Sequence, residues 1–473
     1  MADIEYKMTI GLEVHVELAT KTKMFCQSLN DPDAKSPNVN ICPVCLGHPG
    51  TLPTINKEAV RSVLRVGLAL GGTLADFTEF DRKNYFYPDI PKGYQISQYK
   101  YPLISGGSLA AVAITRIHLE EDTARSQHDQ KTGASLVDYN RAGVPLMELV
   151  TEPVIHSAKQ AGDFARELNL LLGPRYLAVS EANLEKGEMR IEANISLSNQ
   201  EGELGTKVEV KNLNSFKAVE KAIEYEYERQ KAVLLAGDKV VQETRGWDEN
   251  KAETFSQRLK EFSHDYRYFP DPDLPKLKLS QITEWQDLSA TLPELPKAKR
   301  QRLKNQYNIK DNDIEVFVYS PEISDYFESV VANLSEKSSW QLTANYIVSD
   351  LVGFIASDFK KIPPADYFAE LINLLAANKI SSRGAKDILS IMIETNESPN
   401  KIAEENNLWQ KSDASELGTI IEKVIVANPD IVAEFKSGKD KALQFLIGQG
   451  MKESKGSANP SLLAELFVAR LKE

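Results

Sequence analysis

The chain has 473 residues, more than a single hydrophobic core usually spans, so two or three domains are expected. Its composition excludes collagen-like, disordered and low-complexity classes, and no apolar run approaches the roughly 20 residues that cross a bilayer. The net charge of -12 argues against broad nonspecific affinity for nucleic acid but leaves room for a local basic patch. Residues 1–5 lack the features of a signal or transit peptide, so a cytoplasmic location is expected.

The first predicted element is a β strand over Met8–Leu18, where apolar and polar residues alternate strictly. This alternation puts Glu13, His15 and Glu17 on one face of the strand and apolar side chains on the other. Carboxylate oxygens suit Mg²⁺, which accepts few protein ligands, so the polar face is a candidate magnesium site. For this strand alone, a solvated face with incidental charges is the alternative interpretation.

The cysteines follow the first strand, at Cys26, Cys42 and Cys45. Their odd number argues against a disulfide framework. Cys42 and Cys45 have the spacing of half a zinc knuckle, and Cys26 offers a third thiolate. A closed structural zinc site needs a fourth ligand, for which His48 is the nearby candidate. Three free thiols are the alternative interpretation.

The next segment, Phe80–Gln98, mixes arginine and lysine with aromatic residues. This combination suits a nucleotide or nucleic-acid surface, because rings stack on bases and cations contact phosphates. A loop packed on the sheet explains the composition equally well.

Acidic residues recur in the two segments that follow. Residues 109–120 alternate and place His118 and Glu120 on one face of a predicted strand, next to Glu121. Glu148 lies among apolar residues within 144–153, an unusual setting for an unpaired carboxylate. An ion-paired core residue is the alternative explanation for Glu148.

Two more alternating segments, Met189–Ser198 and Thr206–Lys211, complete the prediction of an antiparallel sheet with one buried and one charged face. Lys207 and Lys211 lie just ahead of a predicted helix that begins at Ser215, and a helix N-terminus can hold an anion. Simple capping of that helix is the alternative.

The sequence predicts an α+β fold. Two helices, Ser157–Gly173 and Ser215–Gly237, lie within the strand-rich region. Helical spacing takes over after the proline-rich stretch Leu292–Pro296. A second boundary is predicted at the polar stretch 410–413, because the residues after it carry no net charge. The expected domains are an antiparallel-sheet catalytic domain over 1–292, a helical domain over 293–408 and a small helical tail domain over 409–473.

Several familiar motifs are missing from the sequence. It contains no Walker A loop, no dinucleotide-binding glycine motif after a strand and no Gly-x-Ser-x-Gly elbow. It also lacks an evident nucleophile and base for amide hydrolysis. Phosphate handling therefore requires a different kind of site, and any nitrogen donor must be processed by another protein.

Sequence motifs that follow one another along nearly the whole chain resemble the B-subunit family of the bacterial aspartyl/glutamyl-tRNA amidotransferases. These stretches are Ile10–Leu18, Phe80–Asp89, His118–Asp122, Asp138–Glu148, Glu185–Asn194, Glu209–Phe216, Gln242–Arg245, Asp265–Asp273, Gly448–Lys452 and Lys455–Pro460.

The resemblance implies a catalytic cradle around a sheet, followed by a helical domain and a helical tail that binds tRNA. It implies that ATP phosphorylates the side-chain carboxylate of glutamate or aspartate misacylated onto tRNA(Gln) or tRNA(Asn). Ammonia that an A subunit releases from glutamine then displaces the phosphate, within a heterotrimer that also contains a C subunit. A carboxylate is a poor electrophile, and magnesium and cations would stabilise the charge on the transferring phosphoryl group.

By position, the resemblance assigns the magnesium ligands to Glu13, His15, Glu121 and Glu148. Strict alternation favours Glu120 over Glu121, so a bulge after Leu119 is needed for this assignment. Contacts to ATP or to the acceptor end of the tRNA are assigned to Arg82, Lys83, Tyr85, Lys207 and Lys211.

The chain departs from the family at Cys26-Gln-Ser28, where many members carry Cys-x-Cys. One of four zinc ligands is therefore missing, unless His48 replaces it. Two alternatives to the catalytic role are open. One is a non-catalytic tRNA-binding scaffold of the same complex. The other is the related archaeal-type subunit, which carries a large added domain for which 473 residues leave little room.

Overall fold

The computed structural model describes residues 5–129, 131–200, 202–259, 266–356, 358–410, 414–437, 439–454 and 458–472. The chain forms two compact units, Met1–Pro296 and Lys297–Glu473. Parts of three sequence predictions fall outside the described residues: position 265 of Asp265–Asp273, positions 411–413 of the polar boundary, and positions 455–457 of the tail motif. Among the described helices, none is long and apolar enough to cross a membrane.

The first unit consists mainly of β strands. They are β1 (Lys7–Glu17), β2 (Thr73–Leu74), β3 (Phe77–Thr78), β4 (Asp81–Asn84), β5 (Tyr94–Ser97), β6 (Ile104–Ser105), β7 (Ser108–Leu109), β8 (Val112–Glu121), β9 (Arg125–His128), β10 (Ser135–Asp138), β11 (Pro145–Thr151), β12 (Met189–Ser198), β13 (Val208–Leu213), β14 (Glu243–Asp248), β15 (Glu253–Leu259), β16 (Phe269–Pro270) and β17 (Leu277–Lys278).

Three α helices belong to this unit: α1 (Lys57–Ala69), α2 (Ala158–Leu172) and α3 (Phe216–Leu235). The helices predicted after Ser157 and Ser215 are confirmed, and each serine side chain caps its helix by accepting a backbone N–H bond. The sequence prediction missed α1, which Asn56 caps in the same way. All three helices pack apolar residues into one core with the buried face of β1.

The strands form one large sheet in the order β15-β14-β13-β12-β1-β11-β8-β6-β2, with β7 paired to β8. The remaining strands make small sheets, of which β16-β4-β5 borders the candidate site. The prediction of a purely antiparallel sheet is wrong at one pair, because β13 and β14 run parallel. Helix α3 connects these two strands and carries the chain back to the same end of the sheet, which parallel pairing requires.

Every regular element among the described residues of the second unit is a helix, which confirms the predicted α+β class. Its helices are α4 (Pro296–Tyr307), α5 (Asp311–Tyr319), α6 (Pro321–Ala332), α7 (Trp340–Tyr346), α8 (Val352–Ile355), α9 (Ala365–Ala376), α10 (Ser382–Thr395), α11 (Pro399–Glu405), α12 (Ala414–Ala427), α13 (Pro429–Lys436), α14 (Asp440–Glu453) and α15 (Pro460–Lys472). Helices α12, α14 and α15 share a small core of their own, built around Leu417, Leu446 and Phe467.

Candidate active site

The central strand β1 provides the first part of the site. Its apolar residues Leu12, Val14 and Val16 are fully buried in the core, so the alternating side chains Glu13 and His15 face the opposite side of the sheet. The strand lies between β12 and β11, in the middle of the large sheet. Its polar side chains therefore have neighbours from both adjacent strands.

Strand register aligns three functional side chains in one row. His15 of β1 pairs with Glu148 of β11, and Glu148 pairs in turn with His118 of β8. Side chains at paired positions point to the same face. Oε2 of Glu148 consequently lies 3.4 Å from Nε2 of His15 and 3.3 Å from Nε2 of His118.

Two more carboxylates flank this row. Oε1 of Glu13 lies 3.8 Å from Nε2 of His15, and Oε2 of Glu120 lies 3.8 Å from Nε2 of His118. Ser97 donates a hydrogen bond of 2.9 Å to Glu120 and fixes the orientation of its carboxylate. The face thus brings three carboxylates and two imidazoles together, a donor set suited to divalent cations.

Glu121, the ligand selected by the family resemblance, lies elsewhere. Pairing between β8 and β11 is continuous from Leu119 to Glu121, so the required bulge does not occur there. Adjacent residues of a regular strand point to opposite faces, and Glu120 therefore joins the cluster. Glu121 instead forms an ion pair with Lys92 and accepts a hydrogen bond of 3.0 Å from the backbone N–H of Ile96.

Charge coupling within the row is strong. Burial opposes ionisation of Glu148, but the charge of His118 and hydrogen bonds from both histidines hold its pKa well below its usual range. Burial also acts against the charged form of His118, yet Glu148 and Glu120 raise its pKa to about 9. Burial and the charge of Glu148 raise the pKa of Glu13. These interactions favour the ionised form of the carboxylate at the centre of the row.

A second cluster of charged residues lies beside the row, and the sequence did not predict that Asp122 and Arg141 belong to it. Asp122 is buried and lies 2.6 Å from Arg190 and 3.7 Å from Arg141. Burial and the neighbouring Asp122 raise the pKa of Glu17 to about 8. Asp122 lies just beyond β8 and Arg141 in the loop before β11, so strand alternation offered no signal for this group.

The predicted nucleotide contacts have different environments. Lys83 is surrounded by Glu120, Glu148 and tyrosines, and although burial acts against its charge, Glu120 raises its pKa. The ring of Tyr85 packs edge-on against Tyr266 at 5.7 Å, and burial raises the pKa of its hydroxyl. These two residues border the carboxylate cluster.

The other predicted cations lie apart from Lys83. Arg82 is committed to Asp271 and Asp273, at 2.8 and 3.0 Å, and stacks on the ring of Tyr94. Lys211 lies 2.8 Å from Glu192, which pairs with Glu13 in the strand register. Lys207 is exposed just before β13. The structure therefore brings Lys83, Tyr85 and Lys211 to the site, but Arg82 has a structural ion pair.

The three cysteines converge, with their sulfur atoms within 4.8 Å of one another. A hydrogen bond from Cys26 lowers the pKa of Cys45 to about 5, and the fully buried Lys23 lies 3.9 Å from its Sγ. Within the described residues, no histidine or carboxylate joins them, and His48 is exposed. The donor set is one ligand short of the four that structural zinc takes, so a zinc site at these cysteines stays an untested alternative to three free thiols.

Comparison with known proteins shows the family of the chain. Residues 8–284 match a family model described as the GatB/GatE catalytic domain, and residues 325–471 match a GatB domain. The chain is 45% identical to the aspartyl/glutamyl-tRNA(Asn/Gln) amidotransferase B subunit of Dehalococcoides mccartyi strain CBDB1, over 99% of both chains. It is 44% identical to the protein of that name from Caldanaerobacter subterraneus, over 99% of this chain and 100% of the relative. The chain therefore belongs to the family of the aspartyl/glutamyl-tRNA(Asn/Gln) amidotransferase B subunits.

Proposed function

We propose that this chain is the ATP-using B subunit of a tRNA-dependent amidotransferase, working with a glutamine-hydrolysing A subunit and a C subunit. Its substrate is glutamate or aspartate misacylated onto tRNA(Gln) or tRNA(Asn). The observation that carries the proposal is the row His15–Glu148–His118, whose three residues all lie within the segment 8–284 that matches the family's catalytic domain.

The proposed reaction has two steps. An oxygen of the side-chain carboxylate attacks the γ-phosphorus of ATP, the bond to the β-phosphate oxygen breaks, and ADP leaves. Ammonia then attacks the carbonyl carbon of the acyl phosphate, and inorganic phosphate leaves with the carboxylate oxygen. The chain lacks an evident glutaminase arrangement of its own, which agrees with a supply of ammonia from the A subunit.

Magnesium is the cation for which this donor set fits the proposed chemistry. Glu13, His15 and Glu148 are the ligands we propose, with Glu120 in the position that the family resemblance assigned to Glu121. When bound, the cation would neutralise the charge on the transferring phosphoryl group. Arg116 approaches Oε1 of Glu148 at 3.5 Å and helps to hold this carboxylate in place.

The chain's cations have distinct proposed roles. Lys83 remains charged within the cluster, so it is suited to contact phosphate oxygens of ATP. Lys211, on the opposite side near Glu13, is suited to the same task or to the acceptor end of the tRNA. Tyr85 offers a ring for stacking. The exposed Lys207 remains a predicted tRNA contact, and Arg82 positions the Asp271–Asp273 segment.

The test is formation of ADP by the reconstituted heterotrimer with misacylated tRNA. We expect Glu148→Gln to abolish ADP formation and amidation while glutamine hydrolysis by the A subunit stays measurable. Glu152→Gln is the matched control, because Glu152 follows the same strand but bonds to Thr115 at 2.8 Å, away from the cluster. Normal amidation by Glu148→Gln would overturn the assignment and favour the role of a tRNA-binding scaffold.

A further inference from the structure

The cluster of Cys26, Cys42 and Cys45 takes no part in the proposed phosphoryl transfer. The three sulfur atoms lie within 4.8 Å of one another, and none of them is in a disulfide. Within the described residues, no histidine or carboxylate joins the cluster, so it does not provide the four ligands of a structural zinc site. Its chemistry in this chain is therefore that of free thiols.

Cys45 is the buried member of the cluster, and its surroundings favour a negative charge. Its Sγ accepts a hydrogen bond of 3.1 Å from the backbone N–H of Cys42 and lies 3.9 Å from Nζ of the fully buried Lys23. The thiol of Cys26 donates a further hydrogen bond, which is the main reason that the pKa of Cys45 falls to about 5. Cys45 is therefore a thiolate at neutral pH, and the thiolate is the reactive form of cysteine.

Cys26 has the opposite character. The hydrogen bond that it donates to Cys45 raises its own pKa, and burial adds to this effect, so Cys26 keeps its proton. Its sulfur-to-sulfur hydrogen bond stabilises the thiolate of Cys45 more than the thiol of Cys42 does. Cys26 is consequently the favoured partner for bond formation with Cys45.

The surroundings of Cys45 also limit what can reach it. Its side chain is 4% exposed and lines a small cavity together with Lys92, Glu121 and Gly143. A bulky disulfide or another protein cannot approach a sulfur in such a position. A small oxidant, little larger than water, is the class of reagent that this cavity suits.

We propose that Cys26 and Cys45 are a peroxide-sensitive thiol pair that forms a reversible disulfide. The thiolate of Cys45 attacks one oxygen of hydrogen peroxide, the O–O bond breaks, and hydroxide leaves a sulfenic acid behind. Sγ of Cys26 then attacks the sulfur of Cys45, the S–O bond breaks, and water leaves with the proton of Cys26. The two thiols lose two electrons, and the peroxide gains them.

The experiment treats the reduced full-length chain with hydrogen peroxide, blocks the remaining thiols with N-ethylmaleimide and maps the peptides by mass spectrometry. Zinc is measured in the same sample. We expect well below one zinc per chain, a disulfide between Cys26 and Cys45, and a blocked thiol at Cys42, with all three thiols recovered by dithiothreitol. A disulfide between Cys42 and Cys45, three unreacted thiols, or a full equivalent of zinc would overturn the proposal.

Variants test the role of each group. Cys26→Ser should leave Cys45 as a sulfenic acid that dimedone traps, whereas Cys42→Ser should still form the disulfide. Lys23→Met should slow oxidation at least about tenfold, because the thiolate loses its buried cation. Lys21→Met, which alters an exposed lysine of the same segment, should keep the parent's rate. Loss of the disulfide in Cys42→Ser, or an unchanged rate in Lys23→Met, would contradict the proposal, and the cysteine variants decide it if Lys23→Met does not fold.

Discussion

Nε2 of His118 lies 3.3 Å from Oε2 of Glu148, and the two residues are direct partners in the pairing of β8 with β11. His118 is almost completely buried, and its pKa is raised because Glu148 and Glu120 surround it. A buried imidazole between two carboxylates is unfavourable unless charge is balanced at that position. This contact gives His118 a role at the site, although the sequence did not select it as a ligand.

We expect His118→Gln to reduce tRNA-dependent ADP formation at least about tenfold, the scale on which loss of a metal-site side chain affects activity. Glutamine has a similar volume and retains hydrogen bonding, so the fold should persist. The measurement is the steady-state rate of ADP release by the heterotrimer, with thermal unfolding as the check on folding. An unchanged rate would remove His118 from the site.

Glu120 and Glu121 are neighbours in sequence that should behave differently. We expect Glu120→Gln to weaken binding of Mn²⁺ at least about tenfold, because its carboxylate faces the histidines. Glu121→Gln should leave Mn²⁺ affinity unchanged, because that side chain pairs with Lys92 on the other side of the strand. Isothermal titration calorimetry measures the Mn²⁺ affinity of both variants. Weaker binding by Glu121→Gln than by Glu120→Gln would instead support Glu121 as the ligand, as the family resemblance implies.

Arg82 is expected to contribute to stability rather than to ATP binding. Its guanidinium pairs with the fully buried side chain of Asp271, so Arg82→Ala leaves that carboxylate without its partner. The expected loss is about 1.5–3 kcal/mol in the free energy of unfolding of the sheet domain. Lys207→Ala, an exposed control, should change stability by no more than about 0.5 kcal/mol. Chemical denaturation measures both, and equal stability of the two variants would contradict the ion-pair account.

The pKa of Glu17 predicts a dependence of stability on pH. Burial and Asp122 raise this pKa from 4.5 to about 8, so the folded protein holds a proton that the unfolded chain releases at lower pH. The corresponding stability is complete below about pH 4.5 and is lost as the pH rises through about 8. Glu17→Gln has no such proton to lose, and its melting temperature should fall less than the parent's between about pH 6 and 9. If the melting temperatures of the two proteins changed with pH to the same extent, the raised pKa of Glu17 would be excluded.

The three-cysteine cluster predicts a gain of zinc binding. Ser28 occupies the position of the family's missing thiol and hydrogen-bonds with Cys26, so Ser28→Cys should complete a four-thiolate site. We expect the variant to be purified with one zinc per chain and the parent with clearly less. Elemental analysis provides the measurement. A full equivalent of zinc in the parent would mean that three thiolates and another group already suffice.

Alternation in the sequence was enough to predict β1 and the face that carries Glu13 and His15, because a strand has a period of two. It also predicted that Glu120, rather than Glu121, shares the face of His118. The family resemblance favours Glu121 instead, but the structure places Glu120 in the cluster. Periodicity cannot predict the register between strands that are distant in sequence. That register places His118 opposite Glu148.

Other parts of the site depend on long-range contacts. The sequence predicts that Arg82 contacts a nucleotide, because a cation beside aromatic rings suits one. Its partner Asp271 lies far along the chain, however, and no local pattern signals their pairing. Asp122 and Arg141 meet through a loop, for which no periodic signal exists. The domain boundaries at 292 and 409 stay predictions.

The most direct test of phosphorylation at this face uses tRNA charged with glutamate whose side-chain carboxylate carries ¹⁸O at both oxygens. In the proposed reaction, that carboxylate attacks ATP and one of its oxygens leaves in the phosphate when ammonia arrives. The account predicts that inorganic phosphate released by the heterotrimer contains one ¹⁸O atom for each amide formed. Amide formation with unlabelled phosphate would contradict an acyl phosphate intermediate.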